Sequence, residues 1–118
     1  MTINDAIKHA DSMKPNTFSD EEKFRWISDL DGMICRLVAQ EKEGVEYVCP
    51  DDMDTQLLVR APFEGIYALW LEAQIDFHNR EYNEYNNTIQ MFNSLFEEYK
   101  KAYIREIMPA ASGRIKNL

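Results

Sequence analysis

Histidine, cysteine and glycine are scarce in this sequence, and each scarcity removes a class of function. There are 2 His, His9 and His78, and neither has the Glu three positions earlier that a di-iron helical bundle uses; Ala6 and Ile75 stand there instead. The 2 Cys, Cys35 and Cys49, form no CxxC pair and have no nearby His to complete a metal set, so they read as buried or idle thiols. The 4 Gly are scattered, which leaves no phosphate-cradling loop, and there is no nucleophile elbow or HExxH helix. No apolar run approaches the roughly 18 residues of a membrane span, and the opening MTINDAIKHAD lacks the basic-then-apolar pattern of a signal peptide. A cytoplasmic protein with no membrane partner is expected. Positive charge is also short: 13 Lys and Arg face 21 Asp and Glu, for a formal net charge of -8 and a pI of about 4.7. Like-charge repulsion then argues against a broad, tight grip on DNA or anionic lipid, so nearby DNA should slide rather than stick. The expectation is no enzyme, no cofactor and no metal.

What the sequence does have is a long aromatic stretch from Ala61 to Pro109 with helical spacing, free of proline between Pro62 and Pro109. Apolar residues fall at Ile66, Leu69, Trp70, Ala73 and Phe77, then at Tyr85, Ile89, Phe92, Phe96, Tyr99, Tyr103 and Ile107, three or four apart, as on one face of a helix. As a single rod, Phe63 to Ile107 would measure roughly 65 to 70 Å at 1.5 Å per residue, too long for a compact domain of this size. A break is expected between Asn79 and Asn83, inside the polar cluster His78-Asn79-Arg80-Glu81-Tyr82-Asn83. Pro62 should sit near the first turn of the third helix, and Met108-Pro109 should end the fourth.

Two helices precede this pair. Thr2 to Met13 reads as a short amphipathic helix with Ile3, Ala6, Ile7 and Ala10 on one side, stopped by Lys14-Pro15-Asn16. Ser19-Asp20-Glu21-Glu22 is a capping box opening a second helix expected to run to about Lys42. That helix should bury Phe24, Ile27, Leu30, Ile34, Leu37 and Val38 and show Glu21, Lys23, Asp29, Arg36 and Gln40 to water, with Gly32 a mild interior weakness. Trp26 and Met33 lie off this stripe, where they either widen the core face or dock a neighbouring subunit.

Between these pairs, Glu41 to Asp54 is an acidic loop. It is not a calcium loop: after Asp52-Met53-Asp54 come Gln56, Leu57 and Phe63, where a third ligand, a turn glycine and a bidentate Glu belong. Val45 to Val48 and Thr55 to Arg60 are short and β-branched, suited to a small hairpin or to an extended path across the helices. The fold expected is therefore mainly all-α: about four helices, with room for a short hairpin between the second and third. Residues 1–109 form one helical domain, and 110–118 a flexible, slightly basic tail.

His78 and Glu81 lie on one helical turn and could form an acid-base pair, although a surface His at a helix end is the commoner arrangement. The aromatic residues suit core packing better than base stacking, because the charges between them are mostly acidic. Asn79, Asn83, Asn86, Asn87 and Asn93 are unusual in a helix, where they either cap and face water or hydrogen-bond across an interface.

Several strings carry a family likeness: Asp52-Met53-Asp54-Thr55-Gln56-Leu57-Leu58-Val59, Pro62-Phe63-Glu64-Gly65-Ile66-Tyr67, Gln74-Ile75-Asp76-Phe77-His78-Asn79 with Glu81, Tyr85-Asn86-Asn87, Met91-Phe92-Asn93 and Met108-Pro109. From about Met13 to Pro109 the chain resembles head-tail connectors, also called head-completion or adaptor proteins, of long-tailed phages found in prophages of Gram-positive bacteria. The resemblance implies a helical subunit in a ring of about a dozen copies beneath the portal protein. Such a ring forms in the host cytoplasm, ends at the virion head-tail junction, lets double-stranded DNA pass and offers a platform to a tail-completion protein. Its subunit and partner contacts are expected at Trp26, Met33, Glu46, Asp51, Asp52, Tyr82, Tyr85, Asn86 and Asn87. The rival expectation is a soluble helical adaptor or regulator, encoded by a prophage, that binds a protein through the same aromatic face.

Overall fold

The periodicity resolves into an all-α bundle of α1 (Ile3–Met13), α2 (Asp20–Leu37), α3 (Gly65–His78) and α4 (Tyr82–Ala102), with α4 passing into a π-helical turn at Tyr103–Ile107. The structure is a computed structural model that describes residues 1–107. The expected stop at Met108-Pro109 and the 110–118 tail lie outside the described residues. Helix α3 organises the rest: α1, α2 and α4 all pack on it, whereas the backbone of α4 runs beside no other α-helix. Ile3, Ile7, Ile27, Leu30, Ile34, Leu57, Ile66 and Leu71 fill the space between α1, α2 and α3.

Caps fix the helix starts. The reciprocal capping box is at α1, where the Asp5 amide donates to Thr2 Oγ1 (3.1 Å) and the Thr2 amide to Asp5 Oδ2 (3.0 Å). The Thr2 amide, and after it the Thr2 hydroxyl, hold the Asp5 carboxyl below its ordinary range. At α2, Ser19 Oγ accepts the Glu22 amide (3.1 Å) as expected, but Glu22 Oε1 accepts from the Ser19 hydroxyl (3.3 Å), not from the Ser19 amide.

The expected break between α3 and α4 occurs at 79–81. The Glu81 amide donates to Asp76 O (2.9 Å) and the Arg80 amide to Phe77 O (3.0 Å), the two bonds of a Schellman closure. Arg80 takes the left-handed conformation there (φ 60°), at the position glycine usually fills.

Three expectations need correction. First, α2 stops at Leu37, five residues short of Lys42, because Gln40 turns left-handed (φ 57°) and reverses the chain. Leu37 is therefore 75% exposed, while Lys23, expected in water, is buried at 3%. Lys23 Nζ donates to both Asp11 oxygens (2.8 and 3.0 Å) and to Asn16 Oδ1 (3.3 Å), so its charge is paired rather than solvated. Second, no hairpin forms among the described residues: the one bridge is Thr2 with Gln56, and the 45–59 strap crosses the helices as two irregular arms joined by a turn at 49–54. Its arms are held from outside, the Tyr47 amide by Ser28 Oγ (3.2 Å) and the Leu57 amide by Met1 O (3.0 Å). Third, Pro62 lies ahead of α3, which begins at Gly65.

Gly32 proves to be a contact point rather than a weakness. A Cβ there would lie 3.2 Å from Val45 O, and one on Gly44 would lie 3.0 Å from Gly32 O, so the two glycines let strap and helix backbones meet.

Candidate functional site

Seven-residue spacing on both arms of the α3–α4 hairpin generates an aromatic ladder. Phe63, Trp70 and Phe77 lie along α3 and its entry, Tyr85, Phe92 and Tyr99 along α4, and the two series pair in opposite directions. The centroid distances are 5.9 Å for Phe63 with Tyr99, 5.1 Å for Trp70 with Phe92 and 5.4 Å for Phe77 with Tyr85. Phe96 stacks on Phe92 and on Tyr99 (5.4 and 6.2 Å), reinforcing the buried end. Burial there pushes the Tyr99 hydroxyl up to about 12.

The ladder opens to solvent at the α3–α4 turn. Phe92 and Tyr99 are 5% and 7% exposed, Phe77 is 47% and Tyr82 53%. Phe77 meets Tyr82 (5.9 Å) and His78 (5.5 Å), His78 stacks on Trp26 (5.0 Å, 27°), and Trp26 meets Phe18 edge-on (5.4 Å). The Trp70 indole donates to Trp26 O (3.0 Å), tying α2 to the ladder. The result is a continuous aromatic corner mounted on three helix ends. His78 Nδ1 lies 2.8 Å from Gln74 O and so donates to it; no hydrogen bond joins His78 to Glu81 among the described residues. The acid-base pairing of these two side chains is therefore not assembled here.

A second open surface lies along α2. Between this helix and the 44–49 strap runs a furrow of about 1190 Å³, walled by Met33, Leu37 and Val45, with Arg25, Arg36 and Glu46 at its edges.

Of the nine expected contact residues, Trp26, Tyr82 and Tyr85 meet in the corner, and Met33 and Glu46 border the furrow. Asn86 and Asn87 are exposed on α4, Asn87 next to Met91. Asp51 is exposed and isolated from both surfaces. Asp52 has internal work: its carboxylate accepts the Val48 amide (2.7 Å) and the Thr55 hydroxyl (3.2 Å), which shapes the strap.

Sequence reasoning passed over three polar residues that fix these surfaces in place. Asp31, fully buried, accepts the hydroxyls of Tyr67 (2.6 Å) and Tyr47 (2.7 Å) and the Leu58 amide (3.1 Å), so one carboxylate clamps the strap to α2 and α3. Burial raises the Asp31 carboxyl above its ordinary range, against the pull of those three donors. Burial, and then the Asp31 charge, push both tyrosine hydroxyls well above theirs. Asp76, 2% exposed, binds Lys14 Nζ through both oxygens (2.8 and 2.7 Å) and accepts the Thr88 hydroxyl (3.2 Å), joining the end of α1 to α3 and α4. Lys23 is the third. The signal was present: Lys23, Asp31 and Asp76 each stand on their helix's apolar stripe, three or four residues from Ile27, Ile34 and Ala73.

No cluster of three or more His, Cys, Asp or Glu stands in metal-holding geometry among the described residues, and none of their helices is long and apolar enough to cross a membrane. Comparison with protein-family models, curated proteins and solved structures returned no match.

Proposed function

We propose that this chain is an assembly subunit that acts by docking and not by catalysis: a head-tail connector that joins others in a ring beneath a phage portal. The observation that carries this reading is the aromatic corner. Large rings left half in water on the rigid ends of α2, α3 and α4 are the composition of interface hot spots, which favour Trp, Tyr and Arg. The sequence likeness over Met13 to Pro109 gives the corner its context. The net charge of -8 suits a subunit that borders a DNA channel without retaining DNA. In this reading the protein assembles in the bacterial host cytoplasm and ends in the virion, with the portal protein above it and a tail-completion protein below.

Mass spectrometry of purified virions tests this proposal. A connector is recovered from the particles at a fixed ratio to the portal protein. Its absence from intact, infectious virions sinks the connector and turns the corner into the docking face of a soluble prophage-encoded adaptor.

A further inference from the structure

Helix α4 packs on α3 and beside no other α-helix, so one long side of it is uncovered. Its residues from Tyr85 to Phe96 carry no charge at all, although 29% of the chain is charged. Those of them that face water are asparagines, Gln90, Ser94 and Met91, the last 59% exposed. A solvated helix face normally carries charged side chains, whereas the centre of a protein interface is depleted of them.

Charge returns at the two ends, and it does so in a self-complementary order. Along the uncovered side, Glu84, Asn87, Met91, Ser94, Glu98 and Lys101 alternate in steps of three and four residues, the spacing of the seam between two helices. All six are exposed, and the middle four border one shallow groove of about 730 Å³. In an antiparallel pair whose two-fold axis lies level with the Phe92–Asn93 peptide, Met91 of one copy faces Ser94 of the other, Asn87 faces Glu98, and Glu84 faces Lys101. A thioether then lies over a small side chain, an amide donates to a carboxylate, and opposite charges close both ends. Glu97, beside the seam, comes opposite Gln90, so no two like charges stand directly across from each other. A parallel pair would instead set Glu84 on Glu84 and Lys101 on Lys101. Both end groups are available for the contact: Glu84 takes part in no ion pair among the described residues, and Lys101 meets Glu98 only at 3.9 Å.

We infer that α4 of one copy pairs antiparallel with α4 of a second copy across a two-fold axis, which makes the free chain a dimer. The apolar centre is small, so the contact belongs with small, reversible interfaces. A two-fold contact closes at two copies, whereas a ring grows head to tail. The pairing therefore goes beyond the connector reading and stands or falls apart from it.

Light scattering coupled to size-exclusion chromatography over a concentration series, on the full untagged chain, tests it. The parent should pass from monomer to dimer as concentration rises. Glu84→Lys sets two lysines together at each end of the pair, and Lys101→Glu sets two acids there; each alone should weaken dimerisation about tenfold. Mixed in equal amounts, the two variants should recover it, because each then meets its opposite at both ends, and so should a chain that carries both changes. Met91→Glu brings charge to the centre and should leave monomer alone. These positions are exposed, so helicity by circular dichroism should match the parent. A parent that is monomeric at every concentration overturns the pairing. So do single variants that dimerise like the parent, a charge swap or mixture that recovers nothing, or a larger species that Met91→Glu leaves intact. The connector reading is untouched by any of these results, since its test is the composition of virions.

Discussion

The two sides of α3 are held by different chemistry. Toward α1, α2 and the strap, the contacts are pinned by buried charge: Asp31 beneath two tyrosine hydroxyls, Lys23 on Asp11, and Lys14 reaching across to Asp76. Toward α4, apart from the Thr88 hydroxyl on Asp76, the contact is rings on rings, graded from a buried end at Phe63 and Tyr99 to an open end at Phe77 and Tyr85. Directional polar bonds specify a single register, and a carboxylate loses much if any donor is misplaced. A ladder of rings tolerates adjustment and extends naturally to rings or thioethers of another molecule. The polar side therefore sets the shape of the subunit, and the aromatic side supplies the surface it offers.

The ladder's gradient gives the largest expected effect. Phe92→Ala removes a ring that is 5% exposed and packed between Trp70 and Phe96, and should cost about 4 kcal/mol, read as a lower urea midpoint. Phe77→Ala, at 47% exposure, should cost about 1 kcal/mol. Equal losses at the two rungs would mean that the open end is as structural as the buried one, and the contrast between the sides would fail.

On the polar side, Asp31→Asn keeps the shape but supplies an amide where three donors converge, so either the Leu58 amide or the Tyr67 hydroxyl loses its acceptor. The expected cost is about 2 to 3 kcal/mol near neutral pH. The pH dependence has a definite sign. The folded Asp31 carboxyl lies above its ordinary 3.8, so the folded state holds the proton more tightly than the unfolded chain. Its contribution is fully present below 3.8 and is lost as pH rises through the folded value. Glu72, also raised by burial, acts in the same direction from 4.5 upward. Urea midpoints from pH 3.5 to 7 should therefore show the parent's advantage over Asp31→Asn shrinking as pH rises; a growing advantage overturns the assignment.

Lys14→Met tests the tie that crosses between the two sides. It strands the Asp76 carboxylate, 2% exposed, with the Thr88 hydroxyl alone, at an expected cost of about 2 kcal/mol in the same assay. If Asp76→Asn is added, much of that loss should return, since the orphan charge is gone.

How much of this was legible differs along the chain for physical reasons. The four helices and the 79–83 break could be read because apolar spacing, a proline-free run and a cluster of asparagines are local signals. The end of α2 could not: no glycine or proline marks it before Gly44, and the stop comes from a left-handed turn at Gln40 that nothing nearby announces. The strap looked like strand because its β-branched residues suit extended backbone, yet its partners are Asp31 and Ser28, at sequence distances that pattern reading does not span. The corner was half legible. Trp26, Tyr82 and Tyr85 stood out by type, whereas Phe77 and His78, which connect them, were assigned to a core stripe and to a helix end.

The smallest expected effect concerns the turn that carries the corner, and its sign is opposite to the others. Arg80 holds a left-handed conformation that costs an L residue roughly 1 to 2 kcal/mol, in a closure whose two backbone bonds are already made. Arg80→Gly removes the steric cost and adds entropy to the unfolded chain, for a net gain of about 0.5 kcal/mol and a thermal midpoint higher by about 2 to 4 °C. The Arg80 side chain stands on the turn that carries the corner, so the glycine variant should fold slightly better and, if that side chain takes part in docking, assemble less well. Midpoint and self-association measured on the same sample separate the two. A variant that gains stability and loses no assembly reduces Arg80 to a tolerated strain and confines the docking surface to its rings.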